Sequence, residues 1–158
     1  MAAAAPTQTS RIFIDGDACP VKDETLKVAS RHGMPVVIVS NGGLRPSRDP
    51  NVTHVVVPKT ADAADDWITE TVLTGEIVIT ADIPLAARTL AKGAHALGPN
   101  GRQFTADSIG MALAMRDLKQ HLRETGDIKG HNPGFTRQDR SRFLIELDRM
   151  ARRAAAPR

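Results

Sequence analysis

Short, continuous apolar runs separated by segments of helical periodicity constrain the fold more than any other feature of the sequence. Four of these runs are rich in β-branched residues and lie at residues 11–15, 35–39, 53–57 and 76–80. A strand with one face in water alternates apolar and polar residues, whereas a strand buried on both faces is apolar throughout. The runs therefore predict an α/β fold with a mainly parallel sheet and helices on both faces.

Helical periodicity fills most of the segments between the runs and the last third of the chain. Pro20 lies at the start of the first such segment and Gly33 just past its end, which is the usual place of each residue type at a helix end. The segment 41–51 is too short for a full crossover helix, so the connection there is left open. Helices are predicted at residues 20–32, 61–73, 82–93, 109–123 and 136–153, and a weak fifth strand at 94–97.

The length of 158 residues fits one domain. We expect a disordered leader at residues 1–10, one domain at 11–153 and a disordered tail at 154–158. The leader lacks the features of a secretory signal, and no apolar run approaches the roughly 20 residues of a membrane helix. Cys19 is the only cysteine, which excludes an internal disulfide. These features predict a cytoplasmic protein that does not associate with a membrane.

Aromatic content and charge limit the kinds of nucleic-acid binding to expect. Aromatic residues make up 3% of the chain, which argues against RRM-like and OB-fold proteins that stack bases on aromatic rings. Residues 111–158 contain eleven Lys and Arg against six Asp and Glu, whereas residues 1–110 contain ten against twelve. An acidic front and a basic tail suit a metal-dependent enzyme that acts on a polyanion. A solvated, Arg-rich terminal helix gives the same charge pattern.

Aspartates follow three of the predicted strands. Because the carboxyl ends of parallel strands share the edge of a sheet where α/β proteins bind ligands, we expect these side chains to converge. Crowded carboxylates repel one another, and a hard divalent cation such as Mg²⁺ or Mn²⁺ relieves that repulsion and bridges substrate phosphates. The residues are Asp15 and Asp17 after the first strand, Asp62, Asp65 and Asp66 after the third, and Asp82 after the fourth.

Helix capping is the main structural alternative for single aspartates, because Asp62 and Asp82 each open a predicted helix. Capping gives no reason for Asp15, and Asp65 with Asp66 would then form only a solvated helix face. Cys19 lies near a helix start, which would lower its thiol pKa, although a small buried hydrophobic residue is the interpretation we favour. The candidate phosphate contacts near the same edge are Lys22, Asn41 and Lys59. Arg140 and Arg142 of the last helix pair either with phosphate or with the acidic edge.

Motifs along most of the chain resemble the bacterial YaiI/YqxD family. They are IDGDACPVK at 14–22, VVP at 56–58 with DAADDWI at 62–68, IVITADIPLA at 77–86, LAMRD at 113–117 and DRSRF at 139–143. The resemblance covers about residues 11–150. The family is similar to PIN-like nuclease domains, which implies a three-layer Rossmann-like sheet with a helical C-terminal segment. It also implies metal-binding roles for Asp15, Asp17, Asp65 or Asp66, and Asp82.

This chain departs from the commoner family pattern at two places. Gly16 stands where alanine is more usual, a change that leaves the carboxylates in place. The stretch from Asn41 to residue 44 is also looser than usual, which bears on the role of Asn41.

We predict a divalent-metal-dependent nuclease or phosphodiesterase that acts on RNA or another nucleic acid with Mg²⁺ or Mn²⁺. Its candidate catalytic residues are Asp15, Asp17, Asp66 and Asp82, and Asp65 is a further candidate metal ligand. One alternative is a non-enzymatic RNA- or protein-binding module that keeps the acids as caps. Another is a haloacid-dehalogenase-like phosphatase, suggested by Asp15 and Asp17 after strand one and Thr80 after strand four, but its acidic pair would have to follow Thr80.

Overall fold

One six-stranded sheet forms the centre of the described part of the chain. The computed structural model describes residues 10–155 apart from 18, 44, 46, 61 and 127–133. The spatial order of the strands is β3-β2-β1-β4-β5-β6, with β1 to β5 parallel and β6 antiparallel to β5. The strands are β1 (Ile12–Asp15), β2 (Val36–Ser40), β3 (Val52–Val56), β4 (Ile77–Ile79), β5 (His95–Leu97) and β6 (Gln103–Phe104).

Five helices accompany this sheet in the described residues: α1 (Lys22–His32), α2 (Ala63–Thr71), α3 (Ile83–Ala91), α4 (Ala106–Glu124) and α5 (Arg137–Ala155). Gly33 ends α1 with a φ of 66°, a left-handed conformation that glycine adopts without steric cost. None of the helices in this part of the chain has the length and hydrophobicity that a membrane crossing requires.

Alternate residues of each central strand enter two separate cores, which makes the fold three-layered. On one face Ile12 and Ile14 pack in a cluster with Phe143 and Leu147 of α5, a cluster that also includes residues of α1. On the other face Phe13 packs in a cluster with residues of α2 and α3. All of these side chains are fully buried. Burial on both faces explains why the strands are apolar throughout rather than alternating.

Helix α4 forms an outer element rather than part of either core. It packs on α3, and it contains no fully buried residue along its length. Its exposed apolar side chains include Met111, Met115 and Leu118. The described part of the basic tail, residues 111–158, is therefore split between α4, on the α3 side, and α5, on the opposite face.

The α/β class, the mainly parallel sheet, the helices on both faces and the helical C-terminal segment are confirmed. The open connection at 41–51 joins two parallel strands, β2 and β3, with no helix among its described residues. Strand β6 was not predicted, because two residues are too few to give a periodic signal. The predicted leader and tail lie mostly outside the described residues, so the domain boundaries stay a prediction.

The strand order creates a topological switch point between β1 and β4. From β1 the chain proceeds to β2 and β3 on one side, and then to β4 and β5 on the other. Connections leave the sheet in opposite directions at such a point and open a crevice at the carboxyl ends of the strands, where α/β proteins bind ligands.

Candidate metal site

The crevice at the switch point is a cavity whose wall carries three aspartates. Asp15 ends β1 and Asp17 follows it, whereas Asp82 lies three residues beyond the end of β4. The cavity has a volume of about 230 Å³. Its lining consists of Asp15, Asp17, Cys19, Thr80, Ala81, Asp82 and Pro99. The expected convergence of the segments after the first and fourth strands is therefore present.

The hydroxyl of Thr80 connects the two sides of this cavity. Thr80 is buried, and its Oγ1 donates to Oδ2 of Asp15 at 3.0 Å. The same oxygen accepts a hydrogen bond from the backbone N–H of Asp82 at 2.9 Å. A hydroxyl can donate once and still accept, so Thr80 fixes the Asp15 carboxylate relative to the start of α3.

Asp82 is a helix cap and a cavity residue at once. Its Oδ1 accepts a hydrogen bond from the backbone N–H of Leu85 at 3.0 Å, as expected for an N-cap. Its Oδ2 has no hydrogen-bond donor among the described residues, which leaves that oxygen for a ligand. Asp62 holds the N-cap position of α2, but its side chain makes no capping hydrogen bond. The capping alternative is thus correct for Asp82 and not for Asp62.

Electrostatic repulsion links the cavity to the start of α2. Burial raises the pKa of Asp15, the hydrogen bond from Thr80 opposes that rise, and the charges of Asp82 and Asp17 add to it. Burial also raises the pKa of Asp65 to about 6, with further contributions from Asp82, Asp15 and Asp62. Asp15 and Asp65 therefore lie in one like-charged environment with their acidic neighbours. We call Asp15, Asp17, Asp65 and Asp82 the acidic cluster.

No member of the acidic cluster forms a salt bridge with a described Lys, Arg or His side chain. The buried carboxylate of Glu76, at the opposite edge of the sheet, does have a cationic partner. Arg11 donates two hydrogen bonds to it, at 2.7 and 2.9 Å. Asp66 also has a cation, since its Oδ1 lies 2.9 Å from Arg88 Nη1. Of the two neighbouring aspartates in α2, Asp65 therefore belongs to the cluster and Asp66 is paired.

The chemistry of these donors fits a hard divalent cation. Oxygen-only ligands and uncompensated negative charge are what Mg²⁺ selects, and Mg²⁺ keeps several waters while binding one or two carboxylates directly. Within the described residues, no three Asp, Glu, His or Cys side chains already form a metal-binding group. A hydrated cation does not need such a group, because one or two carboxylates can bind it directly while waters complete its coordination.

The predicted phosphate contacts have different surroundings. The backbone N–H of Asn41 donates to Oδ1 of Asp17 at 3.3 Å, so Asn41 borders the cluster through its main chain. Lys22 begins α1 and Lys59 is exposed. Arg140 Nε lies 3.0 Å from Glu24 Oε1, and Arg142 Nη1 lies 3.8 Å from Asp139 Oδ1. The two arginines thus pair with these carboxylates instead of with Asp66 or Asp82.

The surroundings of Cys19 contradict the expected lowering of its thiol pKa and favour its interpretation as a structural residue. Burial raises the pKa of its thiol rather than lowering it. The side chain is partly buried and packs against the cluster of apolar residues under α1 and α5. Loss of hydration at this position outweighs the field of the helix start. The structural interpretation of Cys19 therefore agrees with its surroundings, although the side chain also lines the cavity.

Two features of the site were not predicted. Thr80 was considered only as part of a phosphatase pattern, yet its position just after a buried strand already placed it beside Asp15. The choice of Asp65 over Asp66 also had a signal, because Asp65 lies three residues before the apolar residue Ile68 and so shares its helix face. The ion pair between Arg88 and Asp66 joins two helices and had no comparable signal.

Similarity to known proteins covers nearly the whole chain. Residues 13–153 match the model of the family described as "Uncharacterized BCR, YaiI/YqxD family". A UPF0178 protein of Mesorhizobium japonicum is 67% identical over 143 residues, which is 90% of this chain and 92% of that protein. A UPF0178 protein of Parvibaculum lavamentivorans is 63% identical over 139 residues, 88% of this chain and 91% of that protein.

A more distant relative extends the match further along the chain. A UPF0178 protein of Rhodopseudomonas palustris is 53% identical over 152 residues, 94% of this chain and 96% of that protein. No solved structure shows a significant match to the chain. The family match over residues 13–153 and the high identities lead to one conclusion: the chain belongs to the YaiI/YqxD family.

Proposed function

We propose that this protein is a PIN-like, divalent-metal-dependent nuclease that hydrolyses phosphodiester bonds of RNA or another nucleic acid at the acidic cluster. The observation that supports this most is the group of four aspartates at the switch point, none of which forms a salt bridge with a cation in the described part of the chain. Like charges held close together destabilise the folded protein, and a bound cation offsets that destabilisation. Perturbed carboxylates in a crevice are typical of functional sites.

Asp15, Asp17, Asp65 and Asp82 would hold the cation. Thr80 and the cap of α3 fix Asp15 and Asp82, so neither carboxylate has to be ordered when the cation binds. The cation supplies charge neutralisation at the phosphate and a lower pKa for a bound water. The cavity of about 230 Å³ admits a phosphate group rather than a whole nucleotide, so the rest of the substrate lies outside it.

The test is hydrolysis of a labelled single-stranded RNA by wild type and by Asp15→Asn, in Mg²⁺, in Mn²⁺ and in EDTA. We expect cleavage only with the metals, and a loss of about 100-fold or more in the variant, since even indirect metal contacts contribute about 10–100-fold. Asp107→Asn is the matched control, because Asp107 is an exposed carboxylate in the first turn of α4 and does not line the cavity. It should cleave like wild type.

The folded state of Asp15→Asn must be checked in the same experiment. Burial and neighbouring charges raise the pKa of Asp15, so removal of its charge should leave the melting temperature in EDTA unchanged or higher. A much lower melting temperature would assign Asp15 a structural role and contradict the site. RNA that is bound but not cleaved in either metal would favour the binding module instead. Hydrolysis of a phosphate monoester alone would favour the phosphatase.

A further inference from the structure

A second cavity adjoins the acidic one and is lined by basic side chains. It has a volume of about 500 Å³ and lies between the start of α3 and one face of α4. Ala81 and Asp82 line both cavities, so the two are neighbours at the N-cap of α3. We call the larger one the α4 groove. Its three cations are Arg116, Lys119 and Arg123.

The three cations lie on one face of a regular helix. Their spacing of three and four residues places them on successive turns of α4. Seven residues separate Arg116 from Arg123, a distance of about 10 Å along the helix at about 1.5 Å per residue. Phosphates of a stacked strand follow one another at about 3.4 Å along the axis. The row of cations therefore matches the length of about three phosphate-to-phosphate steps along such a strand.

These cations are less neutralised than those of the last helix. Lys119 and Arg123 form no salt bridge with a carboxylate among the described residues, and Arg116 has only its neighbour Asp117, with 3.8 Å between Nη1 and Oδ1. In α5, by contrast, four arginines have carboxylate partners, namely Arg140, Arg142, Arg149 and Arg152. Arg137 and Arg153 of α5 likewise have no salt bridge in the part of the chain that the structure describes, so what distinguishes the cations of α4 is their position beside Asp82.

The remaining wall of the groove is apolar. Ile83, Ala112 and Met115 line it, and 43% of Met115 is exposed. A thioether packs well against flat aromatic rings, so bases have a surface to lie against even though the chain contains few aromatic side chains. A row of cations beside an apolar wall is complementary to a strand with phosphates on one side and bases on the other.

We propose that a single-stranded nucleic acid lies in the α4 groove, with its phosphates on Arg116, Lys119 and Arg123, and enters the acidic cavity past Asp82. This assignment rests on the proposed function, since it describes how a nuclease substrate reaches the acidic cluster. Phosphate contacts carry no base information. Binding should therefore be nearly independent of sequence.

The test is a salt titration of binding to a single-stranded oligonucleotide in EDTA, followed by fluorescence anisotropy. The double variant Arg116→Ala/Lys119→Ala should bind at least tenfold more weakly at low salt. Its plot of log affinity against log salt should be flatter by about 1.4, at about 0.7 per lost phosphate contact. Arg149→Ala/Arg152→Ala is the charge-matched control on α5, and it should bind like wild type. Titrations with an RNA and with a DNA oligonucleotide show which of the two nucleic acids binds, since both present phosphates.

Equal losses in the two double variants would overturn the groove, because the effect would then be one of net charge. Absence of binding by the wild type would also overturn it. So would a dimer in light scattering that disappears with Met115→Lys, which would assign the groove to a second copy of this chain.

Cleavage of a small phosphodiester in Mn²⁺ separates the groove proposal from the nuclease proposal. If the small substrate is cleaved and no oligonucleotide binds, only the groove is wrong. If oligonucleotides bind in the groove and nothing is cleaved, only the nuclease is wrong.

Discussion

At the scale of single residues, the acidic cluster combines structural and functional requirements in the same side chains. Asp82 caps α3 through its Oδ1 and also lines the cavity. Asp15 is held by the buried hydroxyl of Thr80. A capping interpretation and a metal-site interpretation of Asp82 are therefore compatible, because a cap fixes the carboxylate that a ligand would otherwise have to order.

Asp65 gives the clearest prediction from pH. Its pKa of about 6 exceeds the ordinary 3.8, so the folded protein keeps a proton that the unfolded chain has already released. The stability of the wild type should therefore fall as pH rises from about 3.8 to about 6 and stay reduced above that range. Asp65→Asn removes this loss, so its gain should be near zero below pH 3.8 and complete above pH 6.

The expected gain of Asp65→Asn is modest. A pKa raised to about 6 would correspond to about 3 kcal/mol if fully transmitted, and screening by water at this half-exposed side chain reduces the expected value to about 1 kcal/mol. Denaturant unfolding in EDTA across this pH range measures it. Asp66→Asn is the neighbouring control, which loses the Arg88 pair and should show no gain. Identical stabilities of Asp65→Asn and wild type at every pH would contradict the repulsion.

At the scale of elements, the agreement between sequence and structure follows from burial. Strands β1, β2 and β4 are buried on both faces, so each left a continuous apolar run in the sequence. The sequence of the connection between β2 and β3 did not indicate that it joins two parallel strands without a helix. That pairing depends on contacts between the strands and not on the sequence of the connection. The partner of Arg140 was not predictable either, since Glu24 lies more than a hundred residues away.

Helix α5 is an integral part of the sheet face that it covers. Phe143 is fully buried in the cluster with Ile12 and Ile14. A Cβ on Gly101, which has a φ of 84°, would lie 2.6 Å from the backbone nitrogen of Phe143. The turn between β5 and β6 thus approaches the backbone of α5 so closely that only glycine fits there.

Phe143→Ala should destabilise the protein by about 3–5 kcal/mol, because it leaves a large cavity in a packed core. Ile145→Ala, two residues away on the same helix, removes a side chain that is 61% exposed and should change stability by less than about 0.5 kcal/mol. Urea unfolding of both variants measures the difference. Equal effects would mean that α5 is not packed on the sheet.

At the scale of the whole molecule, charge is arranged around the switch point. The acidic cluster is at the carboxyl edge of the sheet, the buried pair of Arg11 and Glu76 is at the amino edge, and the α4 groove leads away from Asp82. The charge asymmetry of the sequence predicted a basic surface, but it could not say which helix presents it. The structure places the cations of α4, rather than those of α5, beside Asp82.

The most direct test is a crystal structure of the protein soaked in Mn²⁺, with anomalous difference density calculated at a wavelength where manganese scatters strongly. We expect a peak in the cavity at the switch point, at bonding distance from a carboxylate oxygen of Asp15 or Asp82, and none there in Asp15→Asn crystals. A wild-type crystal at saturating Mn²⁺ with no peak in this cavity, or with peaks only elsewhere, would contradict a metal-dependent role for the acidic cluster.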